Sequence, residues 1–172
     1  SDIQQNGYAA PSKETVATYF RRWLKEHYAT GKITPRTRQG YEDNIERYIV
    51  PLIGSYKMQG LNALKASHIQ AMYTQLSEER KLSGRTRLHL HRVVAMGLNS
   101  ARRKGDIKVN PIQEVDRPRA KDKELTIWDV DQVNHFFEKA VGSRYLDFYQ
   151  LAFLTGMRRS ELAGLKWSNV DL

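Results

Sequence analysis

The chain has no cysteine, which excludes a disulfide framework, a thiol nucleophile and any zinc site built on thiolates. No apolar run approaches the roughly 20 residues that a membrane span needs. Ser1 to Ala10 have neither a basic start nor an apolar core, so they do not read as a secretory signal. Internal repeats and low-complexity tracts are absent as well. The expectation is a soluble, cytoplasmic protein with no membrane partner. Its 40% apolar and 10% aromatic content suffices for a packed core, which argues against wholesale disorder.

Charge is abundant and unevenly placed. The formal net charge is +9. Up to Lys123 there are 23 Lys and Arg against 12 Asp and Glu, a balance of +11; from Glu124 onward there are 5 against 7, a balance of −2. The positive charge therefore belongs to the first part of the chain. Such an excess favours polyanions, nucleic acid above all, because each neutralised phosphate releases counterions. A solvated basic surface would give the same composition.

Hydrophobic spacing predicts a leader over 1–12 and then a series of helices. The first covers about Lys13 to Ala29, with Val16, Phe20, Trp23, Leu24 and His27 on one face. A second opens at Thr34-Pro35, where threonine can cap and proline suits the first turn. It carries Tyr41, Ile45, Tyr48 and Ile49, with Pro51 and Gly54 expected to end it. Leu64 to Arg80 reads as a third, with Ser67 and Gln70 at the spacing of a capping box and Ile69, Met72, Tyr73 and Leu76 as the apolar face. Ser83 to Lys104 reads as a fourth, striped by Leu90, Val93, Val94, Gly97, Leu98 and Ala101. Short connections imply one bundle of four or five helices over 13–111. Residues 112–124, with Pro118 and alternating charges, read as an exposed linker. Over 125–172 the spacing predicts a helix capped by Thr126 with Asp129, an apolar helix from Tyr145 to Leu154 buried in a larger core, and a strand beginning near Trp167.

One segment carries chemistry. Leu151-Ala-Phe-Leu-Thr-Gly-Met-Arg-Arg-Ser-Glu-Leu-Ala-Gly-Leu-Lys-Trp167 reads as a buried helix ending at Thr155-Gly156, with Arg158 just beyond the turn and Glu161 three residues later. An arginine held between apolar elements and oriented by a carboxylate can grip two phosphoryl oxygens with its planar fork. A structural ion pair at a helix start has the same spacing.

The run Thr155-Gly-Met-Arg-Arg-Ser-Glu-Leu, continuing to Leu165-Lys-Trp167, resembles the first catalytic box of the tyrosine recombinases, or phage-type integrases. Thr34-Pro-Arg-Thr-Arg with Tyr41, Ile49-x-Pro51-x-x-Gly54, and Asn110-Pro111 before a linker are more loosely similar to that family's core-binding domain. The resemblance implies a mainly α protein. A SAM-like helical core-binding bundle of four to five helices is followed by the opening helices of an α/β, mainly α, catalytic domain. It also implies that Arg158 contacts the scissile phosphate and that Glu161 supports it, while Arg159 occupies a variable position. Asn169 stands where the family often has Asp. The family cleaves and rejoins double-stranded DNA through a 3′-phosphotyrosyl link, with no metal, nucleotide cofactor or small-molecule substrate. Such a parent, bacterial or phage-encoded, is expected to assemble as a tetramer on DNA, with core-binding and catalytic domains on opposite faces of the duplex. The family's lysine, His-x-x-Arg box and tyrosine follow the first arginine, so residues 1–172 are expected to bind DNA without cutting it. A non-enzymatic DNA-binding regulator using the same helical module is the alternative; a basic protein–protein adaptor is a weaker one.

The duplex-facing candidates are the starts of the second and fourth helices. One supplies Lys32, Thr34, Arg36, Thr37 and Arg38, and the other Ser83, Arg85, Thr86 and Arg87. Hydroxyls, arginines, free backbone N–H groups and the positive dipole end coincide at both. Arg102-Arg103-Lys104 is the competing patch, at a helix C-terminus where basic residues commonly offset the dipole. His89-Leu-His-Arg92 matches His-x-x-Arg but precedes the box, and reads as part of a DNA-facing or solvent-facing surface. His89 and His91 point to different helical faces and make a poor metal pair. Tyr145 and Tyr149 precede Arg158, in the wrong order for a nucleophile, and are expected in the core.

Overall fold

Thr15 begins the first helix: its side chain accepts the backbone N–H of Thr18 at 3.3 Å, satisfying one of the orphan donors of a helix start. The computed structural model describes residues 14–60, 62–121, 124 and 126–170; the expected leader lies outside them. Helix α1 spans Val16–Ala29 and buries Val16, Tyr19, Phe20, Trp23 and Leu24. Tyr19 joins the expected stripe, while His27 is only half-buried and stacks on Trp23 at 5.3 Å.

Helix α2, Pro35–Asn44, continues through a π-helical turn at Ile45–Ile49 into α3, Val50–Ile53. Of the two expected terminators, Pro51 therefore does not end the helix, whereas Gly54 caps it. Proline cannot donate to the carbonyl four residues back. That carbonyl, on Arg47, instead accepts from the Arg80 guanidinium at 3.2 Å. The wide turn and the borrowed donor let the chain pass through the proline, and Ile45, Ile49 and Ile53 reach the core together.

Helix α4 spans Ala66–Glu78. The expected Ser67–Gln70 capping box is not formed; His68 closes the start instead, its Nδ1 accepting the Lys65 backbone N–H at 3.2 Å. Helix α5, Gly84–Lys104, is capped by Ser83 and stopped by Gly105 at φ 81°, a left-handed conformation that costs glycine little. Its full expected stripe, Leu90, Val93, Val94, Gly97, Leu98 and Ala101, is buried.

The core of this first unit lies where α1, the α2–α3 segment, α4 and α5 converge. At its centre α1 and α5 approach closely. Tyr19 Oη donates to the Gly97 carbonyl at 3.0 Å, and burial pushes its hydroxyl up to about 12. Residues 111–115, read from sequence as mostly linker, continue this unit. Pro111–Glu114 form a 3₁₀ turn, Ile112 is buried and Val115 packs on the core. The turn is set by Asn110, itself buried, which accepts from the Ile112 N–H at 3.1 Å and donates to Asn99 Oδ1 at 2.7 Å.

The chain divides into two compact units, Ser1–Asp122 and Lys123–Leu172. The second unit contains α6, Val130–Ala140, α7, Leu146–Thr155, and α8, Arg159–Ala163. Asp129 caps α6 in a reciprocal box with Gln132, so the cap falls on Asp129 rather than Thr126. Trp128, Phe136, Phe137, Tyr149 and Phe153 form an aromatic cluster. Helix α7 was expected to be buried, yet Leu154 is 85% exposed, and among the unit's described residues only Ala140 and Leu162 are buried. Two and a half helices cannot enclose a helix that is apolar all round. Tyr145 is correspondingly exposed rather than in the core, while Tyr149 packs edge-on against Phe136. Trp167–Asn169 is a 3₁₀ turn rather than the expected strand entry; no strand occurs among the described residues.

An ideal Cβ at Gly97 would lie 2.4 Å from Phe20 Cε1, and Phe20 is fully buried. Gly97→Ala is expected to cost about 1–3 kcal/mol through overpacking, read as a lower urea midpoint at unchanged slope. Phe20→Leu in the same chain should recover part of the loss. A Gly97→Ala midpoint equal to that of the unaltered chain would contradict this packing.

Candidate nucleic-acid interface

The two helix starts picked out by sequence are built alike. Thr34 accepts the Thr37 N–H at 3.2 Å, and the two hydroxyls lie 3.0 Å apart. Ser83 accepts the Thr86 N–H at 3.1 Å, with hydroxyls 2.9 Å apart. In each case the cap closes the first turn through short hydroxyl side chains, and the arginines take no part in it. Lys32, Arg36, Arg38 and Arg85 are exposed, and Arg87 is half-buried.

The candidates do not form one continuous patch. Arg38 lies over the Tyr28 ring, 4.9 Å from its centroid, on a side shared with Glu42 and Glu46. Arg85 and Thr86 line a groove of about 710 Å³ between the α2–α3 segment and α5. Arg87, two residues on and so turned to another helical face, lines a different cleft with Tyr73 and Arg117.

The groove holds residues that sequence reading did not select. Arg47 and Tyr48 come from the π-helical turn, and His89 and Arg92 from α5. Arg92 follows Arg85 by seven residues, two helical turns, so that spacing carried a signal. Arg47 had none, since its direction depends on the irregular turn. No carboxylate among the described residues forms an ion pair with Arg47, Arg85 or Arg92, although Asp43 lies at the rim. In the competing patch Lys104 is bound to Glu26 at 2.5 Å, and Glu26 also pairs with Arg22, whereas Arg102 and Arg103 form no ion pair among the described residues. His89 sits beside the Tyr41 ring at 6.3 Å. His91 points elsewhere, 3.1 Å from Tyr73 Oη, where burial and then the charge of Arg117 hold it below the usual imidazole value. The described residues contain no cluster of His, Asp and Glu able to hold a metal, and no helix long and apolar enough to cross a membrane.

In the second unit Gly156, at φ 65°, ends α7 and turns the chain toward Arg158. Arg158 precedes the first turn of α8. Its backbone N–H donates to Glu161 Oε2 at 2.8 Å and its guanidinium to Oε1 at 3.0 Å. One carboxylate thus caps the helix and orients the arginine. The Arg158 side chain is 84% exposed, not held between buried elements as the sequence suggested, because few apolar side chains surround it. Its remaining guanidinium donors stay open.

Residues 15–77 match the N-terminal SAM-like domain of phage integrases. The chain is 27% identical over 165 residues to a tyrosine recombinase XerC-like protein of Caldanaerobacter subterraneus subsp. tengcongensis, a match covering 91% of this chain and 41% of that one. An integrase of Saccharopolyspora erythraea is 22% identical over 157 residues, covering 91% and 35%. The first unit thus carries a match to the SAM-like domain of phage integrases, and the chain as a whole is similar to tyrosine recombinases. It spans well under half the length of these curated recombinases. Its mainly α fold, with a SAM-like first unit, is also that of lambda integrase. A lambda integrase dimer bound to a COC' core site aligns with TM-score 0.77 and 20% identity over 91% of this chain and 43% of that one. A lambda integrase tetramer bound to a Holliday junction aligns with TM-score 0.76 and 20% identity, covering 91% and 45%.

The Arg158 backbone N–H, and secondarily its guanidinium, hold the Glu161 carboxyl below the usual carboxylate range. The start of α8 is therefore secured above that range and loosens as pH falls through the lowered value. A carbon-detected NMR titration should place the Glu161 midpoint below that of a free glutamate. In Arg158→Ala the backbone donor remains, so the midpoint should rise without reaching the free value. A complete return to the free value would show that the side chain, not the cap, is the main cause.

Proposed function

We infer that this recombinase segment holds duplex DNA through its first unit and supplies the first phosphate-binding arginine of the catalytic site through its second. The observation that carries the reading is the groove lined by Arg47, Arg85 and Arg92. It is basic, free of ion pairs among the described residues and bordered by the Ser83-capped start of α5. Three unpaired guanidinium groups facing one concave surface repel each other until a polyanion neutralises them, which makes a phosphate backbone the fitting occupant. Lys32, Thr34, Arg36, Thr37 and Arg38 at the α2 start, and Arg87 in a cleft on another face of α5, supply separate contacts to the same duplex outside the groove.

Arg158 has the open donors that a bidentate grip on a phosphodiester requires. Glu161 keeps its fork in register by holding one edge, and acts as a positioning residue. The first unit, which takes in residues 112–120 as well as the helices before them, serves as the core-binding domain, and the second unit as the start of the catalytic domain. The parent works as a tetramer on DNA in the cytoplasm. The 172-residue chain alone holds DNA without becoming covalently joined to it, since the sequence after Arg158 contains neither a His-x-x-Arg box nor a tyrosine.

The test compares two doubly neutralised variants on the same duplex at the same salt. Arg36→Gln with Arg38→Gln should weaken binding more than Arg102→Gln with Arg103→Gln, with both folds intact by circular dichroism. Matched charge loss removes net charge as the explanation. For the unaltered chain, log affinity should fall with log salt at about −0.9 per phosphate neutralised. Flat salt dependence, or the reverse order of the two variants, would overturn the assignment of this face.

A further inference from the structure

Residues 116–120 lie against the first unit, although their composition is that of an exposed linker. Two contacts hold them. Gln70 on α4 accepts the Asp116 backbone N–H through Oε1 at 3.1 Å. At the start of α5, an ideal Cβ on Gly84 would fall 2.2 Å from the Arg119 carbonyl oxygen and 3.2 Å from Ala120 Cα. Gly84 sits in an ordinary first helical turn without a positive φ, so its backbone conformation does not demand glycine. The close passage of the other segment does. Between the two contacts, Pro118 fixes its own φ and restricts Arg117 to extended conformations, which lowers the entropy lost in ordering the segment. Leu88, one turn beyond Gly84, lines the same surface as residues 116–120. Arg117 and Arg119 are exposed along it, and Arg117 lines one cleft with Arg87.

We propose that Gln70 and Gly84 are positioning residues that hold residues 116–120 as a basic strap along α5, making Arg117 and Arg119 part of the surface that grips the duplex. The proposal rests on the assignment of the α5 start to DNA. It adds that the strap's charges are fixed in place before DNA arrives, so they bind without an ordering cost. The acidic Asp116 does not defeat this, because its backbone N–H is the anchored group and the two arginines leave the strap with a net positive charge.

The test uses the 172-residue chain, with Gly84→Ala, Gln70→Ala and the double variant Arg117→Gln with Arg119→Gln. In the absence of DNA, Gly84→Ala and Gln70→Ala should each speed trypsin cleavage after Arg119 several-fold, with the thermal transition of the unit retained. Measured against salt, the affinity slope of Gly84→Ala should shrink by about 0.9 for each phosphate that the strap no longer neutralises. The double arginine variant should give a similar decrease, and combining it with Gly84→Ala should add nothing. Unchanged cleavage in both single variants would overturn the strap. Faster cleavage with an unchanged slope would overturn its role in binding DNA. If the unaltered chain failed to bind DNA, the broader assignment would fall, and the cleavage arm would still decide whether the strap is held.

Discussion

The crossing of α1 and α5 at Gly97 is the constraint on which the proposed binding surface depends. Phe20 packs against the face of α5 where a side chain is absent, and Tyr19 donates to the Gly97 carbonyl from the same side of α1. The two contacts fix both the separation and the rotation of the helices. Gly84 lies thirteen residues earlier on α5, about 20 Å along a rigid rod at 1.5 Å per residue. A small rotation at the crossing would therefore displace Arg85, His89 and Arg92 relative to Arg47 by a larger amount. In the proposed reading the core serves binding in this sense: it aims a helix whose far end carries the charge.

A second constraint holds the other wall of the groove. Passing the chain through Pro51 leaves the Arg47 carbonyl without its usual donor, and Arg80 fills the vacancy from the end of α4. The Arg80 guanidinium also lies 5.9 Å from the Tyr48 ring centroid. One side chain thus ties the π-helical turn to α4 and fixes the backbone from which Arg47 and Tyr48 project. Charge, irregular backbone and helix capping converge on the same few residues.

The regular parts of this architecture could be read from the sequence. The 3.6-residue stripe of α5 is long, and Thr34 and Ser83 act locally as caps, so neither depended on distant partners. The failures came where a distant partner decides. Pro51 looks like a terminator until Arg80 supplies its missing hydrogen bond, and Gln70 looks like a capping residue until Asp116 takes its carbonyl. Residues 112–120 look like a free linker because their docking uses Ile112, Val115 and the absence of a side chain at Gly84. The helix starts were found for the right local reason, yet their arginines face three different surfaces, since Arg85 and Arg87 are too close in sequence to share one face. The groove's centre at Arg47 depended on a turn that periodicity does not encode. Arg158 and Glu161 were legible as a pair because three residues of helix bring them together whatever surrounds them; the exposure of Arg158 was not.

Backbone amide chemical shifts of the isotopically labelled chain, followed as a short duplex is added, test the central claim most directly. They report location without altering any residue. The changes should concentrate at residues 32–38, 44–48, 83–92 and 116–120, leaving 58–67 and 102–108 nearly unmoved. Changes centred on 102–108, with the groove residues silent, would contradict the account and place the duplex on the opposite end of α5.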